Sequence, residues 1–222
     1  MTPSRFSLPL LLIFLLTIMI SCKGKTGDTA QSDTKTSART ASPQISEPND
    51  PSAGSVLKYQ PPSDPALEQA LQEAALNGQL EMAIDLIARG TDVNAIDPEG
   101  RTALMYASFN GHTEIVRNLI DAKAIVSIRD GGGRTALLYA ATGPFPETVK
   151  LLLENNADPN IIDAEEHFTP IMHAAAEGQL EVVKVLLEYG ADASLRDVDG
   201  ETAYIFAVTN GHTEVAELLK GK

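Results

Sequence analysis

Apolar residues are distributed along this chain in two different ways. Near the start they form a single run, Leu8 to Ile20, interrupted only by Pro9 and Thr17. From residue 69 onward they return about every 33 residues, and three columns recur without a gap. Ala74, Ala107, Ala140, Ala174 and Ala207 form one, Glu81, Glu114, Glu147, Glu181 and Glu214 the second, and Leu86, Leu119, Leu152, Leu186 and Leu219 the third. Within a period, Ile115, Val116, Leu119 and Ile120 lie on one helical face, as do Val182, Val183, Leu186 and Leu187 two periods later. Each unit therefore predicts an Asp-containing turn, a short helix, a Gly-bearing corner and a second, Leu-rich helix. A unit of this size cannot bury its own apolar face and must stack on its neighbours. The expectation is an all-α solenoid of about five helix-turn-helix repeats with short β-turn tips, over residues 66–96, 97–129, 130–162, 163–196 and 197–222.

The text of the repeat resembles the ankyrin repeat. The second unit reads Asp97-Pro98-Glu99-Gly100-Arg101-Thr102-Ala103-Leu104 and then Asn110-Gly111-His112-Thr113-Glu114-Ile115-Val116. The family pattern is D-x-x-G-x-T-P-L-H followed by G-H-x-E-V-V. The fourth unit carries Thr169-Pro170, Gly178-Gln179-Leu180-Glu181-Val182-Val183 and Leu186-Leu187-Glu188-Tyr189-Gly190-Ala191-Asp192. The resemblance implies a protein-binding module without catalytic activity or cofactor.

Physical chemistry accounts for the columns without the family. Thr102, Thr135, Thr169 and Thr202 stand where a hydroxyl caps a helix, and Pro170 follows at the first helical position, where its missing N–H costs nothing. The alanines are small because two helices and the next repeat converge on them. The glutamates fall in the first turn of the second helix, where negative charge favours the positive end of the helix dipole. These columns are structural.

The N-terminal run is about a dozen residues long, too short to span a bilayer comfortably, and it matches the hydrophobic region of a secretory signal. The lone cysteine, Cys22, follows Met19-Ile20-Ser21 directly, and this arrangement resembles a bacterial lipobox. The resemblance implies cleavage before Cys22 and acylation of its sulfur and amine, hence a lipid anchor in the cell envelope. Several acyl chains on one residue anchor stably where one chain is marginal. Residues 23–63 are rich in Ser, Thr, Pro, Gly and Asp, with almost nothing apolar before Val56. Such a composition cannot offset chain entropy, and it predicts a disordered tether of some 30–40 Å average reach. The domain plan is thus a signal over 1–21, anchor and tether over 22–63, and repeats over 64–222.

Charge narrows the partner. The formal net charge is −13; segments 1–22 and 23–63 contribute +1 each, so residues 64–222 carry −15. That field repels phosphate backbones and anionic lipid heads and favours a protein partner with a basic surface. Nucleic acid and small-molecule substrates are not expected. His112 and His212 occupy the Gly-His corner, where imidazole bonds backbone between repeats. His167 and His173, with Asp163, Glu165 and Glu166, outline a metal or catalytic alternative in the fourth-repeat turn, but without the i, i+4 spacing that gives such a site force. Gly131-Gly132-Gly133 lacks the Lys-Ser/Thr of a phosphate loop.

Ankyrin stacks engage partners through turn tips and the ends of first helices. Carried over by position, the candidate partner-binding residues are Glu99, Arg101, Phe109 and Asn110 in the second repeat and Arg134 and Thr142 in the third. In the fourth they are Glu165, Phe168 and Glu177, and in the fifth Asp199 and Glu201. Phe109 and Phe168 stand out as aromatics at positions expected to be solvated, the character of interface anchors. Two departures from the repeat mark the third repeat and the turn after it as the expected functional centre. Gly143-Pro144-Phe145-Pro146 replaces the usual corner, and the turn Asp163 to Phe168 is one residue longer than its equivalents, thrusting an acidic tip outward. The reading is a lipid-anchored interaction module of the envelope; an inhibitor or immunity protein that plugs a basic toxin or hydrolase is the alternative within the binding class.

Overall fold

A computed structural model of the chain describes residues 64–222. The signal segment expected over 1–21, the acylation site Cys22 and the tether over 23–63 lie outside the described residues. Between 64 and 222 ten helices follow one another as five pairs. The first helices of the pairs are α1 (Pro65–Leu76), α3 (Ala103–Phe109), α5 (Ala136–Ala141), α7 (Pro170–Ala176) and α9 (Ala203–Thr209). The second helices are α2 (Leu80–Ala88), α4 (Thr113–Asp121), α6 (Pro146–Glu154), α8 (Leu180–Glu188) and α10 (Thr213–Leu219). First helices pack on first helices of the neighbouring pairs, and second on second. No strand occurs among the described residues. The expected all-α repeat solenoid is what forms.

The alanine column is the seam of this stack. All five of its members are 0% exposed, enclosed where a helix pair meets its neighbour. A methyl group is what lets the backbones close to that distance, because interiors packed to crystal density have no space for a longer side chain. Leu86, Leu119, Leu152, Leu186 and Leu219 fill the matching positions of the second helices and are buried. The glutamates stand in the first turns of the second helices, exposed. The threonine column behaves less uniformly. Thr102 Oγ1 accepts from Met105 N at 3.3 Å and Thr169 Oγ1 from Met172 N at 3.4 Å, whereas Thr135 and Thr202 precede their helices without a side-chain cap bond.

The corner between first and second helices reveals a second device. In four repeats a Gly at positive φ turns the chain, and the residue after it bonds back to the column alanine, as His112 N does to Ala107 O at 2.9 Å. A Cβ on Gly78 would lie 2.6 Å from the His112 ring, so the glycine also admits the ring of the following repeat. His212 sits on Gly178 in the same way, and its Nε2 lies 3.0 Å from Ala176 O. In the third repeat Pro144 occupies the glycine's place, and the back-bond is replaced by Gly143 N to Ala140 O at 3.3 Å. The ring role survives the change, since Phe145 packs on Gly111 where a histidine would otherwise lie.

Polar bridges tie the long loops together at alternate junctions. Asn94 Oδ1 accepts from Ile125 N at 2.8 Å while its amide donates to Lys123 O at 3.2 Å. Asn160 repeats the pattern with Asp192 N at 2.7 Å and Gly190 O at 3.2 Å. Ser127 stands in the intervening repeat and is too short to bridge. Lys123 has a φ of 74° where Gly90 and Gly190 end their helices, and an L side chain costs energy there.

Two substitutions test this account by urea denaturation. Ala140→Leu is expected to destabilise the stack by about 1–3 kcal/mol through overpacking. Lys123→Gly is expected to stabilise it by about 1 kcal/mol, by relieving the left-handed conformation net of glycine's greater chain entropy.

Candidate protein-interaction face

The turns that join the repeats form a hydrogen-bonded edge. Gly131 N donates to Glu99 O at 2.9 Å, Ala164 N to Gly132 O at 2.9 Å, and Val198 N to Glu166 O at 3.1 Å. Each turn closes on its leading aspartate, whose carboxylate accepts from backbone N–H groups of its own tip, as Asp97 Oδ1 does from Glu99 N at 2.9 Å and Arg101 N at 2.8 Å. The bond from Val198 places Glu166 where Glu99 and Gly132 stand, so Glu165 is the inserted residue of the long fourth turn. His167 then falls in the position of Gly100, Gly133 and Gly200, and it adopts their positive φ, 59°. Ala164, Glu165, Glu166 and His167 are all exposed, so the acidic tip does project.

In this register Phe168 occupies the place of Arg101 and Arg134, which changes its role. In the second repeat Arg101 pairs with Asp97 at 2.9 Å and lies 5.1 Å from the centre of the Tyr106 ring, while the Tyr106 hydroxyl donates to Asp97 at 2.6 Å. The third repeat rebuilds the group with Asp130, Arg134 and Tyr139, at 3.3 Å for the ion pair and 2.5 Å for the hydroxyl. Burial pushes the Asp97 carboxyl up, but the bonds from Tyr106 and Arg101 outweigh it and hold it below its usual range. Burial and the bond to the aspartate raise both tyrosines well above theirs. In the fourth repeat the equivalent residues are Asp163, Phe168 and His173. Phe168 is buried, 5.3 Å from His173 and 5.0 Å from Phe206, centre to centre.

Several expected contact residues are therefore engaged within the fold. Phe168, expected at a solvated position, is a core residue, because the extra residue in its turn swings it inward over His173. Arg101 and Arg134 fold back on their own aspartates, and Arg101 also takes the Glu99 carboxylate at 2.8 Å. Phe109 is half-buried and meets Tyr139 of the next repeat edge-on at 6.0 Å. Asn110 donates to Leu76 O at 3.0 Å, a bond between repeats, and Thr142 donates to Tyr139 O at 2.8 Å. Glu177 is half-buried; burial pushes its carboxyl up while His212 pulls it down. Glu201 is half-buried, and its N–H donates to Asp197 at 2.7 Å. Glu165 and Asp199 remain exposed on the edge. They are joined by Glu166 and by Val198, 52% exposed. Aligning the fourth turn from its C-terminal side is the sequence signal that would have identified Glu166.

The metal alternative meets a separation of its two histidines, His167 exposed at the tip and His173 enclosed beneath it. Among the described residues no group of three His, Cys, Asp or Glu side chains is placed to hold a metal ion.

A family model described as ankyrin repeats (3 copies) matches residues 71–163 and 145–222. The chain belongs to the ankyrin-repeat family. No curated protein matches it. Ankyrin repeats are protein–protein interaction modules, and in this chain Glu165, Glu166 and Asp199 stand exposed on the turn edge of the fourth and fifth repeats.

Truncation separates the two kinds of residue on this face. Phe168→Ala is expected to destabilise the protein by about 3–5 kcal/mol, the range for an enclosed aromatic. Glu165→Ala is expected to leave stability within about 0.5 kcal/mol. Thermal and urea denaturation of both variants check this.

Proposed function

We propose that this chain is an exported binding module, anchored in a bacterial envelope membrane by acylated Cys22, which engages a basic protein surface through the turn edge of its fourth and fifth repeats. The observation that carries the reading is the contrast between neighbouring turns. In the second and third, Arg101 and Arg134 neutralise the aspartates beneath them. In the fourth and fifth, Phe168 and Glu201 take the arginine's place, and Glu165, Glu166 and Asp199 stand exposed; the cation beside the fifth turn, Arg196, donates to the Gly200 carbonyl at 2.6 Å. Exposed charges of one sign steer association and select the partner more than they add affinity.

The anchor rests on the apolar run before Cys22 and on the solitary cysteine. Among the described residues no helix is long and apolar enough to cross a membrane, so the proposed attachment is lipid rather than a span within the repeats. A tether of about 40 residues gives the module tens of ångströms of reach from the bilayer. An inhibitor of a basic toxin or secreted hydrolase would use the same edge; salt-sensitive one-to-one inhibition of such an enzyme distinguishes it from a scaffold.

Crosslinking in cells followed by mass spectrometry tests the reading in two parts. The triple variant Glu165→Lys, Glu166→Lys, Asp199→Lys is expected to lose the partner that the wild-type chain captures, while remaining folded and membrane-associated. Cys22→Ala is expected to lose both the acyl mass and membrane association. Partner capture unchanged by the charge reversal contradicts the edge, and a wild-type chain without acyl groups contradicts the anchor.

A further inference from the structure

The fourth repeat holds an imidazole where the second and third repeats hold a phenol. His173 is 5% exposed, and neither of its ring nitrogens has a hydrogen-bond partner. Phe168 covers it edge-on, and Phe206 of the next repeat packs against Phe168. The Oδ2 of Asp163 lies 3.9 Å from Nε2, beyond hydrogen-bond reach. The other carboxylate oxygen is committed to Glu166 N at 3.0 Å and Phe168 N at 3.2 Å. In the second and third repeats the same aspartate receives a tyrosine hydroxyl and a guanidinium. In the fourth it has neither, and a buried donor without a partner is a standing cost that favours opening of the turn.

We propose that the fourth turn is an acid-sensitive latch: when His173 takes up a proton, its ring and Phe168 leave the core and the Asp163–Phe168 turn opens, while the second and third turns stay closed.

The direction follows from what surrounds the ring. A proton places a full charge between Phe168 and the stack, with one carboxylate, already bonded to its own turn and 3.9 Å away, to compensate it. Asp163 of its own turn favours that charge, and Arg134 of the preceding repeat opposes it. Phe206, from the following repeat, brings none. The charged residues of α8, which pairs with its helix, are Glu181, Lys184 and Glu188, all exposed. Burial outweighs Asp163, and with Arg134 it pulls His173 down to about 4. A solvated histidine titrates near 6.5, so the closed turn is fully stable above about pH 6.5 and loses stability as the pH falls from there towards about 4. Across that interval the rise in the ratio of open to closed turn approaches tenfold per pH unit, and it amounts to some fifteenfold from pH 6.5 to pH 5, above most of the carboxylate range. The other turns lack an enclosed histidine and are exempt.

Opening would release the segment that holds Glu165 and Glu166 on the edge. That consequence for binding rests on the function proposed above; the latch itself does not, and it is measured without a partner.

Hydrogen exchange of the intact chain, corrected for intrinsic rates and followed by mass spectrometry at pH 7.5, 6.5 and 5, is the test. In the wild-type chain the opening constant of residues 163–177 is expected to rise about fifteenfold between pH 6.5 and 5, relative to residues 130–143. His173→Phe is expected to abolish the rise, as is the double variant Phe168→Arg, His173→Tyr, which restores the side-chain set of the second and third repeats. A flat wild-type response, or a rise that persists in His173→Phe, overturns the proposal. Should both variants fail to fold, the NMR titration of His173 in the wild-type chain decides. A midpoint well below 6.5 with loss of protection upholds the latch, and a midpoint at or above 6.5 refutes it.

Discussion

The whole assembly depends on how closely successive helix pairs can approach at one enclosed residue per repeat. Ala74, Ala107, Ala140, Ala174 and Ala207 have no exposed surface, and the buried apolar residues of the stack pack around that seam. Because each repeat packs chiefly on its neighbours, stability is a sum of local terms and interface terms, and a change in one turn is felt mainly by the adjoining repeats. This confinement is what allows the turns to diverge. Pro144 alters the third corner and Glu165 lengthens the fourth turn, yet the seam runs past both without interruption.

The divergence follows a pattern of substituted roles. The ring that rests on a corner glycine is His112 on Gly78, Phe145 on Gly111 and His212 on Gly178, so packing is conserved while hydrogen-bonding capacity is not. The group beneath each turn changes more deeply. Aspartate, arginine and tyrosine in the second and third repeats give way to Asp163, Phe168 and His173, and then to Asp197, Glu201 and Phe206. Two consequences follow from that one substitution series. The exposed edge passes from internally neutralised to acidic, and among the described residues a titratable ring is enclosed without a hydrogen-bond partner in the fourth repeat alone.

Architecture was legible in the sequence because it is written at fixed spacing. The alanine, glutamate and leucine columns specify which face is buried, and the helix pairs form where those columns place them. The altered third corner was legible too, since a proline cannot supply the conformation that a glycine does. Phe168 was not, because a one-residue insertion can be aligned from either side. Aligned from Asp163 it falls on the threonine cap, and aligned from Thr169 on the arginine, a position that looks solvated; the bond between Val198 N and Glu166 O fixes the second register, and there an apolar ring turns inward. Arg101 and Arg134 show a different limit. A charged residue near a turn tip looks available in one dimension, and only the aspartate four residues earlier and the tyrosine five residues later reveal that it is engaged. Thr135 and Thr202 carry the right residue for a cap without making its bond.

The central claim is that the columns hold the stack and that the acidic edge of the fourth and fifth turns does the recognising. The most direct measurement is photo-crosslinking in cells from single positions, with the reactive side chain placed at Glu165 or Asp199 and, for comparison, at Lys150 or Lys184, exposed on the second helices. The account predicts that one and the same partner is captured from Glu165 and Asp199 and not from Lys150 or Lys184. Capture from the second helices alone, or with equal yield from all four positions, would contradict it.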